Sequence, residues 1–337
     1  MGEPSLSPGT VIGRRYTVQG LLGQGGMGEV FAATGPKGEQ VALKVLHERA
    51  MQDADIVARF QRESEIASHI RSPYVARILG AGKERDGRLW IAFERLEGEG
   101  LDVRLRREHY LPFAEVVQIV EDTFLGLNAA HKAGVIHRDI KPANLFVEQR
   151  HLTQEQLAKG ESAERTRILD FGVSKVKNQV RKKNEPSLTA FDATLGSFAY
   201  MAPEQVRGSA RVDERADLYA LGAVCFRALA GRLPFEGTNA VTLIALKLDR
   251  DPPTLESVTG EEWPNAVETF LARIMARDRE HRYASAKEGL KAWRELSSIM
   301  AKTRQARSRP PSMLIPEDNE PGDRTEVTAT TFVVDGD

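Results

Sequence analysis

His137-Arg138-Asp139-Ile140-Lys141-Pro142-Ala143-Asn144 is the stretch whose reading decides the fold. It sets a carboxylate, an ammonium and a side-chain amide close together, on a segment that Pro142 keeps out of a helix interior. These groups divide the work of phosphoryl transfer. Asp139 can orient an attacking hydroxyl and accept its proton. Lys141 can neutralise charge on the travelling group, and Asn144 can offer an oxygen to Mg²⁺.

Upstream of it, 16–22 reads as a strand that runs into Leu22-Gly23-Gln24-Gly25-Gly26-Met27-Gly28-Glu29-Val30. Glycines at 23, 25 and 28 fit G-x-G-x-x-G-x-V, where backbone N–H groups approach phosphates with no Cβ in the way. Alone, that pattern also suits a plain hairpin turn or a dinucleotide site. A dinucleotide fingerprint opens a helix; here a second strand, 30–34, follows, then Val41-Ala42-Leu43-Lys44 on a third. Lys44 lies on an apolar strand and needs an acidic partner if its head is buried. Ile56, Phe60, Glu63 and Ala67 recur at helical spacing in 55–70, which puts Glu63 on the inward stripe. The alternatives are an exposed lysine with a solvated Glu63, or a pair with Glu65, about 160° round the helix from the apolar stripe. Strands at 75–81 and 89–93 complete a small antiparallel sheet. The polar run 94–98 then reads as a hinge whose backbone at Glu94 and Leu96 can meet an adenine edge, or as a plain strand-to-helix loop.

Downstream, an amphipathic helix over 113–132 carries Val116, Val117, Ile119, Val120, Phe124 and Leu127 and leads into 137–144. Ile168-Leu169 runs into Asp170-Phe171-Gly172, where Asp170 is placed to ligate Mg²⁺ between phosphates. Ala202-Pro203-Glu204 follows Gly196-Ser197-Phe198-Ala199-Tyr200-Met201. A helix over 213–230 is apolar almost all round and therefore buried, so Asp217 within it needs donors, with the backbone of 137–144 the obvious source. Arg282 can pair with Glu204. Helices over 265–276 and 284–300 follow.

With these motifs in this order, the chain resembles the eukaryotic-like Ser/Thr protein kinases of bacteria over about 10–300. Leu21-Leu22-Gly23-Gln24-Gly25-Gly26-Met27-Gly28 is similar to that branch's Gly-rich loop, and Lys141 two residues after Asp139 is the pattern of Ser/Thr rather than tyrosine kinases. The resemblance implies an α+β, bilobed protein-kinase fold. A five-stranded antiparallel sheet plus one helix makes the N-lobe (10–93), 94–98 the hinge, and a mainly helical C-lobe spans 99–300. It implies ATP with Mg²⁺ or Mn²⁺ in the cleft. Leu22, Gly23, Gln24, Gly25, Gly26, Met27, Gly28, Glu29, Val30, Ala42, Lys44, Glu94 and Leu96 would hold the nucleotide, and Asn144 and Asp170 the metal. Asp139, Lys141, Lys44 and Glu63 would carry catalysis. The implied reaction moves the γ-phosphoryl group to protein Ser/Thr hydroxyls, with autophosphorylation between Asp170 and Glu204. There Thr189, Thr194 and Ser187 are candidate acceptors whose phosphate would satisfy the Arg138 guanidinium.

Two features depart from the family pattern. Asn144 and Asp170 are separated by roughly a dozen residues more than a tight hairpin needs, and the polar excess, 148–166, is expected to be a solvated insertion. Ser197 stands where the family has threonine, and keeps the hydroxyl. Outside the domain, 1–9 reads as a flexible leader and 301–337 as a disordered tail without apolar periodicity. Thr325, Thr328, Thr330 and Thr331 in that tail suit a phosphothreonine-binding partner, or simply a solubilising segment.

Composition bounds the remaining classes. The chain has 337 residues, 41% of them hydrophobic, enough to bury a large core. A net charge of -1 gives no reason to invoke nucleic acid or an anionic membrane. One cysteine, Cys225, excludes an intrachain disulfide framework. No window is apolar enough to span a bilayer and no signal peptide is visible. The expectation is a cytoplasmic protein with protein substrates, dimerising transiently for autophosphorylation in trans. The rival readings are a pseudokinase scaffold and a small-molecule phosphotransferase. The first usually lacks a group matching Lys44, Asp139 or Asp170; the second lacks the Ala-Pro-Glu segment.

Overall fold

Alternation of apolar and polar residues closes the N-terminal region into an antiparallel sheet. The computed structural model describes residues 4–25, 28–47, 57, 60, 64–65, 67–159, 161–170, 198–208, 212–237 and 239–302. Strands β1 (Val11–Ile12), β2 (Tyr16–Gly25), β3 (Gly28–Thr34), β4 (Gln40–Leu46), β5 (Ile78–Lys83) and β6 (Leu89–Glu94) lie in the order β1-β2-β3-β4-β6-β5. On one face Tyr16, Val18, Phe31, Val41, Leu43, Val45 and Trp90 form a cluster; on the other Leu46 and Ile91 pack with Phe60 and Leu89. The period of two sends Lys44 to the face opposite Leu43 and Val45.

The sheet has six strands where five were expected. The additional β1 pairs with β2 at Val11↔Thr17 and Ile12↔Tyr16. The leader, expected to be flexible, is tied down where it is described. Leu6 is buried in the Tyr16–Trp90 cluster, and the Gly9 N–H donates to the Val18 carbonyl at 2.8 Å. Burial of Leu6 and Ile12 offsets the cost of ordering this segment. The strand expected at 75–81 begins at Ile78, because Val75 forms a parallel bridge with Ile168 instead.

The second lobe is mainly helical. After β7 (Gly98–Gly100) come α1 (Leu101–Glu108) and α2 (Phe113–Lys132), and then a 3-10 turn over Pro142–Asn144. β8 (Leu145–Gln149), α3 (Gln154–Ala158) and β9 (Glu164–Ile168) follow, then α4 (Pro203–Val206), α5 (Arg215–Ala230) and α6 (Ala240–Asp249). The last elements are α7 (Leu255–Thr259), α8 (Asn265–Ile274) and α9 (Ala286–Lys302). As its composition predicted, α5 is buried from Ala216 to Phe226 without interruption. Trp293 on α9 is buried against Phe270 and donates its indole N–H to the Val117 carbonyl at 3.0 Å.

The insertion is shorter than expected. β8 and β9 pair at Val147↔Thr166, Glu148↔Arg165 and Gln149↔Glu164, which leaves 150–163 as the loop proper, with α3 inside it. The polar residues at its base are bonded rather than solvated. Arg104, itself buried, binds both Glu164 carboxylate oxygens at 2.8 and 2.9 Å and Glu99 at 2.9 Å.

Candidate active site

Two residues beside the proposed chemistry have left-handed backbones: Arg138 at φ 64° and Asp170 at φ 38°. For an L-residue this costs on the order of 1–2 kcal/mol, and it persists where surrounding bonds impose it. Asp217 supplies them at Arg138. Its fully buried carboxylate accepts the backbone N–H groups of His137 (2.8 Å) and Arg138 (2.7 Å), as the sequence led us to expect. Two further groups join this brace that sequence reading missed. His131 Nε2 lies 2.8 Å from the same carboxylate, and Gln205 donates to the Arg138 carbonyl at 2.9 Å. Neither belongs to a motif, and only the approach of α2, α4 and α5 reveals them.

The imidazole of His137 joins the segments that carry Asp139 and Asp170. Nε2 lies 2.8 Å from the Leu169 carbonyl and must be the donor there. In the neutral ring Nδ1 is then an acceptor, matching the Asp139 N–H at 3.2 Å. Leu169 N–H in turn reaches the Asn144 carbonyl at 2.9 Å. The Asn144 amide nitrogen donates to the Asp139 backbone oxygen (2.7 Å) and to its carboxylate (3.1 Å). Lys141 Nζ is 3.1 Å from the same carboxylate. Lys44 reaches across from β4 to Asp170 at 2.5 Å. Lys44, Asp139, Lys141, Asn144 and Asp170, remote in sequence, are thus linked by short contacts at one place. Glu63, the expected partner of Lys44, lies outside the described residues. So do Gly26, Met27, Ser187, Thr189 and Thr194.

The Gly-rich stretch forms the tip of the β2–β3 hairpin, with Gly23↔Val30, Gln24↔Glu29 and Gly25↔Gly28 in register. A Cβ on Gly28 would lie 2.2 Å from the Val45 carbonyl oxygen, so glycine is required there by the approach of β4 as well. Glu29 has its side chain engaged elsewhere. Its carboxylate is buried and bonded to the Ser5 backbone N–H and hydroxyl, so only its backbone is left for a nucleotide. The leader, invisible as a partner in sequence, is the reason. Val30 on this hairpin and Ala42 on the adjacent β4 are both buried.

At the hinge, the Glu94 N–H is already bonded to the Arg77 carbonyl at 3.0 Å, while Leu96 makes no backbone hydrogen bond among the described residues. Of the two expected contacts to an adenine edge, the Leu96 amide is therefore the unspent donor. The Glu94 side chain is anchored by Arg167, which also bonds Glu148 at 3.1 Å and the Val75 carbonyl at 3.1 Å. That junction was not legible in the sequence.

The donor set suits a hard divalent cation. Asp170 offers a carboxylate, and Asn144, with its nitrogen committed to Asp139, offers the amide oxygen. Among the described residues there is no group of three His, Cys, Asp or Glu that could hold a metal, so phosphate and water would complete the shell. On the acceptor side, Glu204 and Arg282 form the expected pair, two-pronged at 2.8 and 2.9 Å. Arg282 also donates to the Ala276 carbonyl at 2.7 Å and lies over the Tyr219 ring.

Comparison with known proteins agrees with this geometry. Residues 16–293 match the family model "Protein kinase domain". The chain is 37% identical over 305 residues to Serine/threonine-protein kinase pkn3 of Myxococcus xanthus, covering 90% of this chain and 53% of that protein. It is 36% identical over 287 residues to Serine/threonine-protein kinase PknJ of Mycobacterium tuberculosis, covering 84% and 45%. The chain therefore spans about half the length of these relatives. Its fold matches the crystal structure of the Mycobacterium tuberculosis PknI kinase domain with a TM-score of 0.65 and 28% identity, over 87% of this chain and 99% of that one. The chain belongs to the protein kinase family, in its bacterial, eukaryotic-like Ser/Thr branch.

Proposed function

We propose that this chain transfers the γ-phosphoryl group of ATP to Ser or Thr hydroxyls of proteins. The observation that carries the reading is the meeting of Lys44, Asp139, Lys141, Asn144 and Asp170. In this reading Lys44 and the Gly-rich backbone hold the phosphates, and Asn144 and Asp170 would hold Mg²⁺, whose positive charge would offset that of the phosphates. Asp139 orients the acceptor hydroxyl and takes its proton, while Lys141 stays beside it as the neutralising cation. The presence of all three of Lys44, Asp139 and Asp170 weighs against a pseudokinase, and the Glu204–Arg282 pair beneath 199–203 against a small-molecule phosphotransferase.

The reading includes activation by phosphate on the segment before Glu204, with Thr189 first and Thr194 and Ser187 next. Arg138 supports it: its Nε is buried and has no hydrogen-bond partner among the described residues. Protein substrates and a transient homodimer belong to the same proposal, as does a phosphothreonine-binding partner for the tail. Among the described residues no helix is long and apolar enough to cross a membrane.

The test is Asp139→Asn in the full chain. Nucleotide binding should stay near that of the unaltered chain, while transfer to a peptide falls by roughly 10²–10⁴-fold. Transfer at the original rate in Asp139→Asn would remove the assignment.

A further inference from the structure

Lys247 lies on α6 and is 1% exposed. Its ammonium donates to the backbone carbonyls of Ala199 at 2.6 Å and Met201 at 2.8 Å, and stands 5.2 Å from the centre of the Tyr219 ring. Among the described residues none of its contacts is with a carboxylate. A buried cation without a counter-ion is costly and is kept only where its donors are fully used. The neighbouring α6 residue Leu243 already packs with Ala199 and Phe235, so apolar burial alone would have been served by an apolar side chain at 247. What Lys247 adds is a clamp on two carbonyls that straddle Tyr200.

The clamped residues lie between Gly196-Ser197 and Ala202-Pro203-Glu204, on the acceptor side of the site. We propose that Lys247 is a positioning residue for the acceptor peptide, holding Ala199–Met201 in the conformation that receives residues next to the phosphorylated hydroxyl. This rests on the protein-kinase reading above. The ammonium acts through the backbone and touches neither nucleotide nor reacting atoms.

A dependence on pH follows. Burial, helped by the nearby Arg282 charge, lowers the Lys247 pKa to about 7. The groups facing it are Tyr219 from α5, whose phenol burial pushes up, and Arg282, which is matched by Glu204. Near neutrality Lys247 is thus the group that changes charge. Below pH 7 the charged ammonium binds both carbonyls; above it the neutral amine offers weaker donors and the clamp loosens.

Lys247→Met in the full chain, which keeps length and removes charge, tests this. The KM for a Ser/Thr peptide should rise about tenfold, with the KM for ATP within twofold, and amides at 199–202 should exchange hydrogen faster. Lys247→Arg, which restores a cation, should recover part of the peptide affinity. In the unaltered chain the peptide KM should climb between pH 6 and 8.5 while the KM for ATP stays level. If Lys247→Met does not fold, Lys247→Gln in the same assays decides the matter, a peptide KM equal to that of the unaltered chain counting against the role. A peptide KM in Lys247→Met equal to that of the unaltered chain overturns the positioning role alone. No transfer by the unaltered chain with ATP and Mg²⁺ overturns the kinase reading, and this role with it.

Discussion

Asp217 shows how one buried carboxylate can set the geometry of residues distant in sequence. It accepts from His137 N–H, Arg138 N–H and His131, and so holds Arg138 in its left-handed conformation directly before Asp139. Asparagine would keep one oxygen and turn an NH₂ toward backbone donors. Asp217→Asn should therefore lose about 2–4 kcal/mol of stability. It should also lower kcat on the order of 10²-fold by misplacing Asp139, with nucleotide affinity little changed. Urea unfolding and steady-state kinetics on the same preparation check both. The need for donors at Asp217 was legible because an acid in an apolar helix must be paired. The need met at Glu29 was not, since a period-two strand says nothing about which distant segment covers it. Only the fold shows that Ser5 lies against this β3 carboxylate.

At the scale of elements, the Gly-rich hairpin combines two demands on glycine. Gly28 must admit phosphate in the proposed reading, and it must also let β3 approach the Val45 carbonyl. Gly28→Ala should lower stability by about 1–3 kcal/mol through overpacking and weaken nucleotide binding several-fold. Gly20 on β2, where an added Cβ meets nothing within 4 Å, is the control: Gly20→Ala should change stability by less than about 1 kcal/mol. Thermal unfolding and nucleotide titration of the two variants separate packing from loss of a glycine as such. Long elements with a strong period were legible to within two residues at either end, and α2 at Phe113–Lys132 to the residue. Short ones were not: β1 has two residues and α3 five, too few for a period to show; β1 is held by its pairing with β2, and α3 by local bonds such as Lys159 to Glu155.

Across the whole molecule, the two lobes are joined by a small set of contacts beside β9. Ala76 N–H donates to the Ile168 carbonyl at 2.9 Å, and Arg167 gathers Glu94, Glu148 and the Val75 carbonyl. Behind this junction Asp122 on α2 accepts from Thr166 N–H and from Gln118, both at 2.8 Å. Neither partner is charged, and burial pushes the Asp122 pKa up to about 6. The unfolded value is near 3.9, so between these values the folded chain keeps a proton the unfolded chain has released. The contribution of Asp122 is therefore most favourable below about pH 4 and is lost as pH rises through 6. Asp122→Asn, with the Gln118 amide turned to present its oxygen, keeps both bonds and removes the charge. It should stabilise the chain at pH 7.5 by about 1–3 kcal/mol, with little difference at pH 4.5. Urea unfolding at the two pH values measures it.

The sequence by itself determined the order of a strand-rich region before a helical one, the bonds from Asp217 to 137–138 and the Glu204–Arg282 pair. Those depend on chemistry written locally: glycine spacing, a proline that keeps its segment out of a helix interior, a buried acid that must find donors. Only the tertiary structure decided what covers Glu29, which hinge amide is already bonded, how Arg167 ties the lobes and why α6 buries a lysine. Each of these is a bond between residues far apart in the chain. Neither partner carries a period or a motif that names the other, and only the packed fold brings them within bonding distance.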